Sequence, residues 1–239
     1  MKRIVFLTGA GISAESGIRT FRDTGGLWEE YSLDDVCSVD GWHRNPQLVN
    51  AFYQDRRRQL PLVAPNEAHK LVAQLEQDYE VVVVTQNVDD LHERAGSTNI
   101  IHLHGELLKM CSSFNKEDVA QHRILTYDTL EVPADERAAD GSLLRPYIVW
   151  FGEDVPQMEN AIAAVEQADI FVVVGTSLNV YPAAGLVHYA RRDAEIYLID
   201  PNPVKMPANL SVTVIAKKAT EGMQNLCKLL SLNPCYNDN

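Results

Sequence analysis

The chain has 239 residues, of which 46% are hydrophobic and 23% are charged, as is usual for a globular protein with a sizeable core. Its net charge of −12 argues against general binding of nucleic acid or of anionic membranes, because their phosphate groups would be repelled. No apolar run reaches the ~20 residues that span a bilayer, and no apolar leader precedes the first strand. We therefore expect a cytoplasmic protein with no nucleic-acid or membrane partner.

Four cysteines, Cys37, Cys111, Cys227 and Cys235, are widely spaced, and no C-x-x-C pair occurs. This spacing favours reduced, unpaired thiols over a disulfide framework or a complete metal site. Nothing in the sequence indicates the oligomeric state.

The first strand predicted from the sequence ends in a glycine-rich turn. Residues 3–8, RIVFLT, form a short aliphatic run that predicts a buried strand, and Gly9-Ala10-Gly11 follows it directly. Glycines there leave backbone N–H groups open to a pyrophosphate at a helix start. With Ala14 the run satisfies G-x-G-x-x-G/A, but the acidic residue expected ~20 positions on is missing. A turn whose glycines serve packing alone therefore stays an alternative.

Strands and helices alternate along most of the chain. Such alternation predicts an α/β fold with a doubly wound parallel sheet and right-handed crossovers. The insertion at 106–145 is expected to be loop-rich. Asn45 and Thr220 are the expected N-caps of two helices. The predicted strands are 3–8, 80–85, 99–103, 147–151, 169–174, 195–199 and 212–215, and the predicted helices are 46–60, 66–77, 158–167, 182–191 and 220–230.

We expect one catalytic core over residues 1–239 with two parts. The large, Rossmann-like part comprises 1–28, 64–104 and 146–239. The small part comprises a helical segment, 29–63, and the insertion, 105–145.

Six motifs occur in order: GAGIS at 9–13, TFRD at 20–23, TQNVD at 85–89, HG at 104–105, VWFGE at 149–153 and GTS at 175–177. Together they resemble the sirtuin family of NAD-dependent protein deacylases over nearly the whole chain. The resemblance points to the bacterial class III type, which removes acetyl, succinyl and malonyl groups. It implies a Rossmann-like sheet with a small inserted module, NAD as cofactor, and acylated-lysine proteins as substrates.

The resemblance also implies the cofactor-binding residues. The glycine turn would hold the pyrophosphate and the loop after it would cover the cofactor, with Gly9, Ala10, Gly11, Phe21, Arg22 and Trp28 as the residues concerned. Gln86, Asn87 and Asp89 would surround the nicotinamide and its ribose. The adenosine half would meet Gly175, Thr176, Ser177, Asp200, Asn202 and Ala219. Asp200 stands where the family usually has Asn, which is a departure at the adenine ribose.

His104 matches the family's catalytic histidine, and Asn87 accompanies it as a catalytic residue. An imidazole with an unperturbed pKa near 6.5 accepts a proton at neutral pH. In sirtuin-like chemistry the acyl oxygen attacks the nicotinamide ribose, nicotinamide leaves, and the histidine helps to deprotonate a ribose hydroxyl. Free lysine and O-acyl-ADP-ribose are the other products. His102, two residues earlier, is expected to be structural.

Substrate contacts are implied at two places. Val149, Phe151 and Gly152 would pair with the substrate peptide as an added strand, with a plain strand ended by glycine as the alternative. Tyr53 and Arg56, three residues apart on one helix face, match the Tyr-x-x-Arg that reads an acyl carboxylate. The alternative places Tyr53 in the core and the arginines on a solvated face. Arg57 and Arg58 are expected on that face in either case.

The insertion departs from the family pattern. Most sirtuins hold this module with zinc on two C-x-x-C pairs, but here only Cys111 stands at a ligand position, with Phe114 at the next. We predict no zinc and no other metal, and a module held by packing. Its candidate core is Leu125, Tyr127, Leu130, Val132 and Leu143.

Two other functions use the same NAD site: mono-ADP-ribosyl transfer to protein, and NAD sensing without catalysis. The presence of His104, Asn87 and Asp89 disfavours a sensor. The presence of Tyr53, Arg56 and VWFGE disfavours pure transfer. Labelling of protein from NAD, or NAD binding without nicotinamide release, would reveal either one.

Overall fold

A computed structural model describes residues 1–18 and 31–232 of the chain. The described part contains a parallel sheet with strand order β3-β2-β1-β7-β8-β9 and a small antiparallel sheet with order β5-β4-β6. The strands are β1 Arg3–Thr8, β2 Glu80–Thr85, β3 Ile100–His102, β4 Gly105–Ser112, β5 Arg123–Ile124, β6 Leu144–Ile148, β7 Ile170–Val174, β8 Glu195–Ile199 and β9 Val212–Ile215.

Eight α-helices accompany these strands within the described residues: α1 Ala10–Ala14, α2 Leu33–Val36, α3 Val39–Arg44, α4 Pro46–Gln59, α5 Glu67–Gln74, α6 Leu91–Ala95, α7 Met158–Glu166 and α8 Ala219–Leu232. Short 3-10 helices cover Leu60–Leu62, Leu75–Gln77, Val119–Gln121 and Ala183–Tyr189. No helix among the described residues is long and apolar enough to traverse a bilayer.

The parallel sheet is covered on both faces, which explains its continuous aliphatic strands. Along β1, Ile4 and Phe6 join one cluster with α5 and α8, whereas Val5 and Leu7 join the other with α7 and the 183–189 helix. A third cluster, around Trp42, packs α2, α3 and α4 against the small sheet and the segment that follows β6. The doubly wound parallel sheet predicted from the sequence is confirmed.

Of the two expected N-caps, one is confirmed and one is wrong, and one expected α-helix is a 3-10 helix. Asn45 caps α4 as predicted, accepting a bond from the Leu48 N–H at 3.0 Å. The expectation that Thr220 caps the last helix is wrong, because α8 begins at Ala219. The Thr220 N–H instead donates to Glu15 Oε2 at 2.9 Å, so a distant carboxylate satisfies this helix end. The helix expected at 182–191 is a 3-10 helix, Ala183–Tyr189.

The expected strand at 147–151 is also corrected. The strand there is Leu144–Ile148, and it pairs antiparallel with β4 in the small sheet. Strand β4 covers the start of the segment for which loops were expected. Gly105 makes the pairing possible, since its φ is +86° and a Cβ would lie 2.0 Å from the Tyr147 carbonyl oxygen.

Candidate active site

The carboxyl ends of β1 and β7 form the centre of the candidate site. The chain runs from β1 to β2 on one side and later returns to β7 on the other, so these two strands flank the topological switch point. Ligands of open α/β sheets bind in the crevice at such a point. The Gly9 N–H donates to the Val174 carbonyl at 3.0 Å, and the Gly11 N–H donates to the Gly175 carbonyl at 2.9 Å.

Three glycines interlock at this crevice. A Cβ on Gly9 would lie 2.8 Å from the Gly175 carbonyl oxygen, and a Cβ on Gly11 would lie 2.6 Å from the Gly175 Cα. Gly175 itself has φ +60°, and its Cβ would lie 2.5 Å from the Ile12 nitrogen. The turn after β1 and the turn after β7 thus touch backbone to backbone, and Ala10 and Gly11 stay partly exposed beside them.

Polar side chains after β2 connect to both turns. The Asn87 Nδ2 group donates to the Gly9 carbonyl and to Ser13 Oγ, each at 3.1 Å. Ser13 Oγ donates to Asp89 Oδ2 at 3.0 Å. Gln86 Nε2 donates to Thr176 Oγ1 at 3.0 Å. The structure therefore brings three of the expected motifs, GAGIS, TQNVD and GTS, into one network.

The Asp89 carboxyl group is almost fully buried. Burial raises its pKa to about 6, against the lowering effect of its bonds from the Leu91 N–H and the Ser13 hydroxyl. A carboxylate held in this way costs free energy at neutral pH, which is typical of functional sites.

Two buried histidines beneath this network were not singled out from the sequence. His69 Nε2 lies 3.4 Å from Ser13 Oγ, and His92 Nε2 lies 3.2 Å from Thr8 Oγ1. The two rings meet edge to face at 4.9 Å. Burial lowers the pKa of His69 to about 4 and that of His92 well below its usual value, so both are neutral. A signal was present, because His69 interrupts the apolar stripe of its helix.

His104 lies just beyond β3, beside the residues that follow β2. Its Nδ1 lies 3.1 Å from the Gln86 carbonyl oxygen. A carbonyl only accepts, so Nδ1 carries the proton in the neutral ring and Nε2 has its lone pair available. Burial lowers the His104 pKa and outweighs the raising effect of the bond to Gln86. The ring is therefore in its basic form at neutral pH.

The expected adenosine-side residues lie at the same sheet edge. The Gly175 N–H donates to the Ile199 carbonyl at 3.0 Å, which places Asp200 next to the turn after β7. Asp200 Oδ1 accepts from the Asn202 N–H at 2.8 Å, and burial raises the Asp200 pKa. Ala219 is buried at the start of α8. Ser177 is partly exposed.

Three further cofactor-binding predictions, Phe21, Arg22 and Trp28, lie outside the described residues.

Helix α4 carries Tyr53 and Arg56. Tyr53 is buried, its hydroxyl donates to Cys37 Sγ at 3.5 Å, and it accepts from Trp150 Nε1 at 3.2 Å. The Arg56 guanidinium lies 4.8 Å from the centre of the Phe52 ring.

The expectation that Arg57 lies on a solvated face is wrong, because its side chain is only 1% exposed. Its Nη2 donates to Gln54 Oε1 at 3.0 Å, and its Nη1 lies 3.3 Å from Met110 Sδ. Burial lowers its pKa to about 10. Arg58 is exposed as expected and pairs with Asp55 and Glu131.

The segment after β6 lies against both His104 and the helical part. The Val149 N–H donates to the His104 carbonyl at 2.9 Å, and the Phe151 N–H donates to the Cys37 carbonyl at 2.8 Å. The Phe151 carbonyl accepts from the Val39 N–H at 3.2 Å. The Phe151 side chain is 55% exposed, and Gly152 is exposed with φ +94°. Both backbone groups of Phe151 are thus already paired.

The small module is held by packing and hydrogen bonds. Its apolar cluster comprises Met110, Leu125, Val132 and Leu144, with Leu108 and Ala138 packed against it. Tyr127 is 41% exposed, so its place in the predicted core is wrong. Cys111 is buried, and burial raises its pKa to about 12. Residues 1–18 and 31–232 contain no group of three metal-ligating side chains.

Comparison with known proteins identifies the family. The model of the Sir2 family matches residues 9–182. An NAD-dependent protein deacylase of Bacteroides thetaiotaomicron is 55% identical over 96% of this chain and 98% of that protein. An NAD-dependent protein deacylase of Helicobacter pylori strain J99 is 50% identical over 95% of this chain and 94% of that protein. A crystal structure of a Sir2 homologue with NAD is 37% identical, with a TM-score of 0.83, 96% of this chain and 90% of that chain covered. The chain therefore belongs to the Sir2 family.

Proposed function

We propose that this chain, an NAD-dependent protein deacylase, removes succinyl and malonyl groups from protein lysines in preference to acetyl groups, while accepting all three. The observation that carries the proposal is the placement of Tyr53 and Arg56 on α4, linked through Trp150 and Val149 to His104. The proposal also covers the roles of the individual site residues.

The crevice between β1 and β7 fits the pyrophosphate of NAD. A Cβ at Gly9 or Gly11 would collide with the Gly175 backbone, so glycine at these positions keeps the two turns in contact at the start of α1, where the pyrophosphate would lie. Gln86, Asn87 and Asp89 would meet the nicotinamide and its ribose, and Thr176, Ser177, Asp200 and Asn202 would meet the adenosine half. When bound, NAD supplies the ribose carbon that the acyl oxygen attacks, and nicotinamide is the leaving group.

His104 would act as the general base. Its Nδ1–H is directed to the Gln86 carbonyl, so the ring presents Nε2 in a fixed tautomer. Its lowered pKa keeps Nε2 unprotonated at neutral pH, ready to accept the proton of a ribose hydroxyl. Asn87 would hold the ribose from the other side, its amide already oriented by Gly9 and Ser13.

The acyl chain would reach α4. His104 bonds to Val149, the next residue, Trp150, bonds to the Tyr53 hydroxyl, and Arg56 lies one helical turn further on. The Tyr53 proton is directed to a thiol sulfur, which is a weak acceptor, so a carboxylate would compete for it effectively. An Arg–carboxylate pair contributes roughly 1.5–3 kcal/mol per charged hydrogen bond.

The peptide would lie along residues 149–152. Since both backbone groups of Phe151 are paired, we place the peptide contacts at Val149, at Gly152 and on the exposed Phe151 ring. One structural neighbour, 30% identical with a TM-score of 0.78, is described as a complex with a deacetylated p53 peptide and 3′-O-acetyl ADP ribose. We propose that protein substrates with acylated lysines bind this chain at the corresponding segment, in the cytoplasm.

The test compares Arg56→Met with Arg58→Met. Both arginines lie in the last turn of α4, but Arg58 is exposed and paired with Asp55 and Glu131. We expect Arg56→Met to lower kcat/KM for succinyl-lysine peptide about 10- to 100-fold, while acetyl-lysine activity stays or rises. Arg58→Met should change neither. An equal loss of both activities in Arg56→Met would contradict the specificity, and leave deacylation itself standing.

A further inference from the structure

The loop after β2 carries Asn87 and Asp89, and three successive carbonyl groups hold it in place. The Gln86 carbonyl lies 3.1 Å from His104 Nδ1, and the Asn87 carbonyl lies 3.3 Å from His102 Nδ1. The Val88 carbonyl accepts from the Leu107 N–H at 2.8 Å. All three donors belong to residues 102–107, so one short stretch of chain sets the shape of the loop.

His102 differs from His104 in what its second nitrogen meets. His102 Nε2 lies 2.6 Å from Glu93 Oε1, at the same time as Nδ1 lies 3.3 Å from the Asn87 carbonyl. A carbonyl and a carboxylate are both acceptors, so the two contacts need two N–H donors. A neutral imidazole has one N–H, and only the imidazolium has two.

We infer that His102, as an imidazolium bridging Glu93 and the Asn87 carbonyl, is a positioning residue for the deacylation reaction. It acts through Asn87, whose amide it orients by holding the peptide group of the same residue. The inference rests on the proposed role of Asn87. It replaces the expectation that His102 is merely structural.

The surroundings allow His102 to exchange its proton with solvent. A cavity of about 360 Å³ opens beside it, lined by Glu93, Glu106, Lys109 and Tyr147 among others. On that side Lys109 faces both Glu106, at 3.5 Å, and the Tyr147 ring, at 4.3 Å.

The charges around His102 favour its protonated form. Asp89 and His92 interact with it from the α6 side, and His92 is neutral. Burial lowers the His102 pKa, but the hydrogen bond and charge of Glu93, with Glu106 and the Asn87 carbonyl, outweigh burial and leave the pKa raised.

The pKa values of these two histidines, two residues apart, are therefore shifted in opposite directions. The His104 pKa is lowered, so its basic form is present at neutral pH, and the His102 pKa is raised, so its acidic form persists to higher pH than that of an unperturbed imidazole. Activity should rise with pH as His104 loses its proton. Activity should fall at higher pH as His102 loses its own and releases the Asn87 carbonyl or Glu93.

The experiment uses two substitutions that separate the two bonds. The amide nitrogen of Asn falls near the position of Nδ1, and that of Gln near the position of Nε2. His102→Asn therefore keeps a donor for the Asn87 carbonyl, whereas His102→Gln keeps a donor for Glu93 alone. We expect His102→Gln to lower kcat by ~10- to 100-fold with little change in peptide KM, and His102→Asn to lose much less. Both variants should lack the alkaline decline of the wild type.

Glu93→Gln tests the direction in which the alkaline decline of activity moves. Removing the carboxylate lowers the His102 pKa, so the alkaline decline should move to lower pH. Equal losses in the Asn and Gln variants, or a decline that persists in both, would overturn the inference.

The imidazole nitrogen signals of His102 in NMR give a readout that needs no activity. We expect a titration midpoint above the usual 6.5, and a midpoint below it would overturn the inference. If the wild-type chain releases no nicotinamide, the proposed function fails, and this titration still decides the state of His102.

Discussion

At the residue scale, burial shifts the pKa values of the site's ionisable side chains and favours their neutral forms. Asp89 has its pKa raised to about 6, and His69 has its pKa lowered to about 4, both mainly by burial. Ser13 touches both groups. The identity of Asp89, Asn87 and His104 was predictable from motifs. Their environment was less predictable, because the contact of His69 with Ser13 and that of His102 with Glu93 form only in the folded chain. The position of His69 in the apolar stripe of α5 was the one local signal.

The first prediction concerns the free-energy cost of Asp89. The Asp89 pKa is higher in the folded chain than in the unfolded chain. The folded chain therefore loses stability as pH rises from about 4 to about 6, and the ionised carboxylate destabilises the fold at pH 7. Asp89→Asn should raise the free energy of unfolding, by at most about 3 kcal/mol, while abolishing most deacylation. Denaturant unfolding at pH 7 and pH 4.5 checks this, and the gain should shrink at the lower pH. A less stable variant at pH 7 would contradict the argument.

The second prediction concerns His104. Replacing it by Ala removes the general base and should lower kcat by ~10²- to 10⁴-fold without preventing NAD binding. In the wild type, the acidic limb of the pH profile should have its midpoint below 6.5, because the His104 pKa is lowered. Calorimetric NAD titration serves as the control for folding. An acidic midpoint clearly above 6.5 would assign the base to another group.

At the element scale, the site depends on backbone contacts that only glycine permits. The turns after β1 and β7 meet at Gly9, Gly11 and Gly175. The strands leading to them were predictable because aliphatic runs covered on both faces are continuous. Strand β4 was not, because Lys109 and the neighbouring half-buried positions interrupt any apolar pattern, and its pairing with β6 is a tertiary feature. The contact of Glu15 with the start of α8 was also unpredictable, because the two lie far apart in the sequence.

The third prediction compares two glycines with positive φ. Gly175 has φ +60° and faces the Ile12 nitrogen, whereas Gly141 has φ +83° with nothing within 4 Å of an added Cβ. Gly141→Ala should therefore lower the free energy of unfolding only by the cost of the left-handed backbone, about 1–2 kcal/mol. Gly175→Ala should cost about 2 kcal/mol or more beyond that and should weaken NAD binding. Thermal unfolding of both variants measures the difference, and equal losses of stability would refute the interlock.

The fourth prediction concerns what holds the small module to α4. Gln54 Nε2 donates to the Leu130 carbonyl at 2.9 Å, and its Oε1 accepts from the Val132 N–H at 3.1 Å. Gln54→Ala removes the partner of the Leu130 carbonyl, of the Val132 N–H and of the buried Arg57 guanidinium. It should therefore lower the free energy of unfolding by about 3 kcal/mol. Arg58→Ala, at an exposed pair on the same helix, should change stability little.

The same packing predicts insensitivity to metal removal. A chelator should leave the melting temperature of the wild type unchanged, and metal analysis should find no stoichiometric zinc. A large drop in melting temperature with chelator would contradict packing as the basis of the module.

At the scale of the whole molecule, the order of the strands places the chemistry. Because β1 lies between β2 and β7, the three motifs that follow these strands converge at one edge, although they are far apart in sequence. The strand–helix alternation predicted this sheet, and the ordered motifs predicted the family. The packing of the small module was less predictable, since its contacts are made by α4 through Gln54 and the buried Arg57.

The most direct test of the account is nicotinamide release from NAD by the wild-type protein with matched acetyl-, succinyl- and malonyl-lysine peptides. We expect release that depends on the peptide and is fastest with the two acidic acyl groups, because Tyr53 and Arg56 pair with their carboxylate. Peptide-dependent release that is fastest with acetyl-lysine would contradict the acidic preference. Release that no acylated peptide stimulates would contradict the deacylase mechanism at this site.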